Sequence, residues 1–159
     1  LYLNEIGIEE RQMGIIITSV ILGTLASQVP IGRAADRFGK RRTLLVCSIL
    51  LATVFAAMPL FKDWRIFILT GALTGALAGS LYPIGLSMIG GIVSRDRLGK
   101  ATSLFSLLFG IGSLTGPGLS GFAMNRIGSG WLFFLPSILT TAFCLEMIAL
   151  YGRIASKRK

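Results

Sequence analysis

Apolar residues run through this chain in long blocks, without the apolar–polar alternation of a half-buried strand. The blocks cover about residues 13–31, 43–61, 66–93, 101–124 and 131–151. Each offers roughly the 20 apolar residues that a helix needs to cross a bilayer, and short polar clusters separate them. The pattern predicts an all-α integral membrane protein with five transmembrane helices. The third block is long enough to tilt or break, and Pro83 places a kink beside Tyr82. Gly116-Pro117-Gly118 interrupts the fourth, and Pro30 falls at the expected end of the first.

Composition makes lipid the solvent. Of 159 residues, 53% are hydrophobic and 14% charged, with a mean hydropathy of +0.74, whereas soluble domains carry roughly a quarter charged residues. A net charge of +9 from 16 Lys and Arg against 7 Asp and Glu would suit a nucleic-acid partner. Here, however, the cations cluster between apolar blocks. Arg33, Arg37, Lys40, Arg41, Arg42, Arg95, Arg97, Lys100, Arg153, Lys157, Arg158 and Lys159 fall on one side of the predicted topology. Only Arg11, Lys62, Arg65 and Arg126 fall on the other. Cytoplasmic connections carry the excess of Lys and Arg. The 32–42 and 94–100 connections and the tail 152–159 are therefore expected in the cytoplasm, with an inner-membrane location, lipid as a partner and no nucleic acid. Trp64 and Trp131 sit at block edges, as interfacial aromatics do. Residues 1–12 are expected to hold the end of a preceding element and a periplasmic loop. Leu1-Tyr2-Leu3 reads as an apolar element already under way, so the expectation is a piece of a longer protein. With no histidine, and with Cys47 and Cys144 both inside apolar blocks, no metal, cofactor or disulfide framework is expected.

The 32–42 stretch, Gly-Arg-Ala-Ala-Asp-Arg-Phe-Gly-Lys-Arg-Arg, is more specific than a generic basic loop, which needs cations but no spaced glycines and no central acid. Gly32 and Gly39 let the backbone turn tightly. Asp36, alone among five cations, suits arginine partners or a neighbouring helix N-terminus. This stretch resembles the signature loop of the major facilitator superfamily, Gly-x-Leu-Ala-Asp-Arg-x-Gly-Arg-Arg; Ala34 departs from the common Leu. Arg97-Leu98-Gly99-Lys100-Ala101 is similar to the family's Arg-Gly-x-Ala helix entry. Gly112 to Gly121 resembles its Gly-x-x-x-Gly-Pro-x-x-x-Gly pattern. The resemblance implies a transporter of twelve helices in two halves, moving a small molecule by alternating access. It also implies a latch at Asp36, with Arg37 and Arg41 as conformational partners or lipid-phosphate contacts. Five blocks beginning before the signature match helices eight to twelve, or alternatively two to six, so the other half is an absent partner. The competing expectation is a non-transporting truncated membrane protein or an assembly or regulatory subunit. Paired carboxylates, a nucleophile–base set and a P-loop are all missing from the sequence, which argues against an enzyme or an ATP-driven pump.

The remaining candidates each carry two readings. Gly71, Gly75 and Gly79, and likewise Gly112 and Gly116 with Ser120, are spaced by four, which lets a second helix approach closely. Pro117 is a pivot. Tyr82 beside Pro83 offers a phenol to a cavity or routine packing. Gln28 offers a helix–helix hydrogen bond or a substrate ligand. Glu146 is the one acid deep within a block, and an intramembrane carboxylate usually faces protein or water. It reads as a proton-coupling or cation-recognition site, or as a carboxylate reaching toward the cytoplasmic surface.

Overall fold

The structure is a computed structural model and describes residues 8–61, 63–127 and 131–156. Leu1-Tyr2-Leu3, Lys62, residues 128–130 and the end of the basic tail, 157–159, lie outside the described residues. Among the described residues five helices follow one another: α1 (Glu10–Phe38), α2 (Lys40–Ala57) with a 3-10 turn at Met58–Leu60, α3 (Trp64–Ile92), α4 (Arg95–Ile127) and α5 (Trp131–Ser156). There is no strand among the described residues. Glu10–Phe38, Lys40–Leu60, Trp64–Ile92 and Arg95–Phe122 are each long and apolar enough to cross a membrane, and Phe133–Ala149 is a shorter apolar helix.

Local chemistry sets the helix starts. At α1, the Gln12 side chain accepts the Glu9 N–H at 3.1 Å. At α3, the Asp63 carboxylate accepts the Arg65 N–H at 2.9 Å, satisfying one of the donors that a helix N-terminus leaves open. The helices also run further than the apolar blocks. Residues 32–42, expected as a loop, are helical except for Gly39, the one described glycine with a positive φ, 95°. The connection between α3 and α4 shrinks to Val93 and Ser94. Pro30 does not end α1, which continues eight residues beyond it. A proline removes one backbone bond, and in a membrane helix neighbouring groups re-satisfy the freed carbonyl. At 1.5 Å per residue, the 29-residue α1 is about 43 Å long, more than the ~30 Å hydrocarbon core. Its basic last turns therefore project beyond that core while remaining helical.

The interior is a thin spine along α1, α2 and α3. Ile8, Ile16 and Phe67 pack at one end. Cys47, Leu51 and Leu77 fill the middle, and Ala35, Leu44 and Ile84 close the basic end. Large apolar side chains otherwise point outward: Leu22, Leu25, Leu69, Leu107 and Leu145 are all exposed, and Leu114 is 82% exposed. Such a surface is compatible with hydrocarbon and not with water. α4 is the extreme case, with none of its most apolar 18-residue window buried.

Candidate functional site

α1 and α3 touch through their backbones. Gly71, Gly75 and Gly79 lie on the α3 face pressed against α1. A Cβ on Gly75 would fall on the Val20 carbonyl, and one on Gly79 on the Thr24 side chain. The contact is reciprocal, because a Cβ on Gly23 would fall on the Ala72 carbonyl. Hydroxyls reinforce this close approach. Thr24 Oγ1 lies 3.0 Å from the Gly75 carbonyl and shares its hydrogen with Val20 on its own helix. Ser27 Oγ lies 3.0 Å from the Ala76 carbonyl and 3.4 Å from Ser80 Oγ. Gly23, Thr24 and Ser27 were not among the residues the sequence singled out. The signal for them is the four-residue spacing of Ser19, Gly23 and Ser27, which mirrors that of the α3 glycines.

At the basic end the chain reverses through Gly39, and α2 is tied down on both sides. Lys40 Nζ donates to the Ser87 carbonyl of α3 at 3.2 Å. Arg41 Nη2 donates to the Met147 carbonyl of α5 at 3.2 Å. Asp36 and Arg37 are exposed on the last turns of α1, and the Arg37 guanidinium stacks 5.5 Å from the Phe38 ring. Gln28, Asp36, Lys40, Ser80 and Ser87 converge on a cleft of about 240 Å³ beside Pro83. Gly32, inside α1, forms part of its wall. Thus Gln28 joins the signature residues, although it lies two helical turns from Asp36.

A second, larger cleft of about 570 Å³ opens on the other side of α3, between α2, α4 and α5. Tyr82 forms part of its wall, packed 4.6 Å from Phe109 and 5.5 Å from Phe105 by ring centroids. Its hydroxyl is 3.0 Å from Ser106 Oγ. The structure does not join the other candidates to these sites. Gly112 and Gly116 have open space where a Cβ would stand, and Pro117 lies inside α4 with them. Glu146 is exposed on α5 and makes no ion pair with another described residue. It adjoins Met147, the residue whose carbonyl Arg41 grips.

Lipid-compatible helices, a glycine seam and two clefts define a multi-pass helical membrane protein. The chain belongs to the Major Facilitator Superfamily, whose family model matches residues 1–159. It is 29% identical over 155 residues to the uncharacterized MFS-type transporter YcaD of Escherichia fergusonii, an alignment covering 93% of this chain and 38% of that protein. It is 25% identical over 147 residues to the uncharacterized MFS-type transporter YfkF of Bacillus subtilis (strain 168), covering 92% of this chain and 38% of that protein. The chain thus spans little more than a third of the length of these relatives.

Proposed function

We propose that the chain supplies helices eight to twelve of a secondary active transporter in the inner membrane. In this reading it works with a partner half, moves a small molecule by alternating access coupled to an ion, and keeps its signature turn and C-terminus in the cytoplasm. The grouping of Arg33, Arg37, Lys40, Arg41 and Arg42 around the turn supports that orientation. One observation carries the reading. Asp36 stands exposed at an open polar cleft, while Lys40 and Arg41 fix the helix after it. A carboxylate exposed at this corner and left without a partner among the described residues suits a contact that forms and breaks with another half. Small differential contacts of that kind are what shift a two-state equilibrium.

The test uses the full-length protein in vesicles. Cys47 and Cys144 are buried, so in a full-length protein whose cysteines outside this chain are replaced, a Gln28→Cys substitution gives one accessible thiol in the cleft. A membrane-impermeant maleimide should label it from the cytoplasmic face, and Asp36→Asn should change the labelling rate several-fold and slow transport. An unchanged rate with unchanged transport overturns the latch. Glu146→Gln tests the coupling role: proton-driven transport should be lost while substrate exchange survives, and unaltered proton-driven transport removes Glu146 from the mechanism.

A further inference from the structure

The larger cleft has a chemistry distinct from the rest of the basic end. None of the described residues lining its roughly 570 Å³ is charged, although Lys40 and Arg41 lie one turn from its wall residue Leu44. Four aromatic rings, Tyr82, Phe105, Phe109 and Phe143, share its surface with thioether and aliphatic side chains of methionine, leucine and isoleucine, Leu139 among them at the α5 side. The volume falls within the ~300–1,000 Å³ typical of sites for drug-sized ligands. The polar side chains of its lining are the hydroxyls of Ser48, Tyr82 and Thr140, with Ser48 fully buried; Ser106 on α4 adjoins the cleft through its bond to Tyr82. Thr140 Oγ1 is occupied by the Pro136 carbonyl at 2.7 Å. Tyr82 and Ser106 carry two hydroxyl hydrogens, and their mutual bond at 3.0 Å uses one. This pair therefore keeps one O–H donor and spare oxygen lone pairs beside the Phe105 and Phe109 rings.

We propose that this cleft is a binding site for a neutral, apolar, aromatic small molecule, oriented by one hydrogen bond to the Tyr82–Ser106 hydroxyl pair. An anion or a sugar entering here would lose its hydration and find almost nothing to replace it. A flat aromatic ring can pack against the Tyr82 and Phe109 rings, which line the cleft tilted 55° to each other. The site assigns a substrate class to the transporter reading and rests on it, but the site itself is a matter of equilibrium binding and needs no gradient.

The experiment uses the full-length protein in nanodiscs and two probes that share an aromatic skeleton. N-phenyl-1-naphthylamine is neutral, and 1-anilinonaphthalene-8-sulfonate adds one negative charge. Fluorescence is read against protein-free nanodiscs. The neutral probe should bind saturably and at least tenfold more tightly than the sulfonate. Tyr82→Ala and Phe109→Ala should each weaken it tenfold or more, Tyr82→Phe about threefold, and the outward-facing Leu114→Ala not at all. Because truncations can disturb folding, Leu139→Trp provides a second route: it fills the cleft without removing a side chain and should also abolish saturable binding. Equal binding of both probes, or neutral-probe binding that survives Leu139→Trp, overturns the proposal. Absence of saturable binding in the full-length protein also overturns it, and means that a further helix or a lipid chain fills the cleft. Binding that behaves as expected without any transport refutes the transporter reading alone. Transport of a charged solute untouched by Leu139→Trp refutes this assignment alone.

Discussion

The seam between α1 and α3 offers the sharpest energetic test, through Gly75→Ala. The added methyl would fall on the Val20 carbonyl, and backbone cannot rotate aside as a side-chain tip can. Relief requires α1 and α3 to separate. Overpacking of this kind costs about 1–3 kcal/mol. Separation also lengthens the Thr24–Gly75 and Ser27–Ala76 contacts, both now 3.0 Å, and interhelical hydrogen bonds in membranes average ~0.6 kcal/mol each. Against this, replacing a mid-helix glycine by alanine favours the helix by about 1 kcal/mol. The net expectation is a loss of about 1–3 kcal/mol. Gly112→Ala is the control, since its Cβ meets open space and only the propensity gain of up to ~1 kcal/mol remains. Unfolding of the purified protein in a detergent–SDS titration reads both. A Gly75→Ala protein as stable as its parent would refute the reasoning, because it would mean the two backbones are not in contact. Equal losses at both positions would refute it too.

Three further substitutions probe other elements by the same titration. Gly39→Ala should cost about 1–3 kcal/mol from backbone strain alone, as φ is 95° and a Cβ there meets nothing; Gly32→Ala, helical and equally uncrowded, should be neutral or slightly stabilising, and a reversed order would contradict the turn. Asp63→Ala removes the carboxylate that accepts the Arg65 N–H and should lower stability by about 1 kcal/mol, with Asp63→Asn or Asp63→Ser recovering most of it. Thr24→Val keeps the shape but loses the hydroxyl, so it should cost about 0.6 kcal/mol and nothing once Gly75→Ala has already parted the helices; additive losses would show that the two residues do not share one contact.

What was legible in the sequence depended on which period encoded it. Block length alone announces helices in lipid, since no soluble fold needs Leu107, Leu114 and Leu145 facing out. The four-residue spacing of Gly71, Gly75 and Gly79 announces one half of a seam. Its other half at Ser19, Gly23 and Ser27 is carried by the same spacing but disguised by hydroxyls, which read as polar residues until their carbonyl partners on α3 are known. Helix ends were less legible, because Arg33 to Arg42 look like loop residues by charge and yet stay helical outside the hydrocarbon. Charge reports the side of the membrane, whereas the backbone turn is specified by Gly39 alone.

The same distinction explains the opposite fates of two glycine patterns. Gly75 and Gly112 carry the same spacing, but spacing encodes only the permission for close approach. Whether a partner takes it up depends on a second surface of matching shape. α1 provides that surface within this chain. α4 has no counterpart among the described residues, so its small-residue face stays open beside a cleft walled by Phe105 and Phe109. The aromatic cleft follows from this, for it is α4 standing off from α2 that leaves the space between them. Its place beside Pro83 makes Tyr82 a candidate, yet what sets it in the cleft wall is its packing on Phe109 and its bond to Ser106, both on a helix 24 or more residues away. No local period could have shown that pairing, since it depends on how two helices cross.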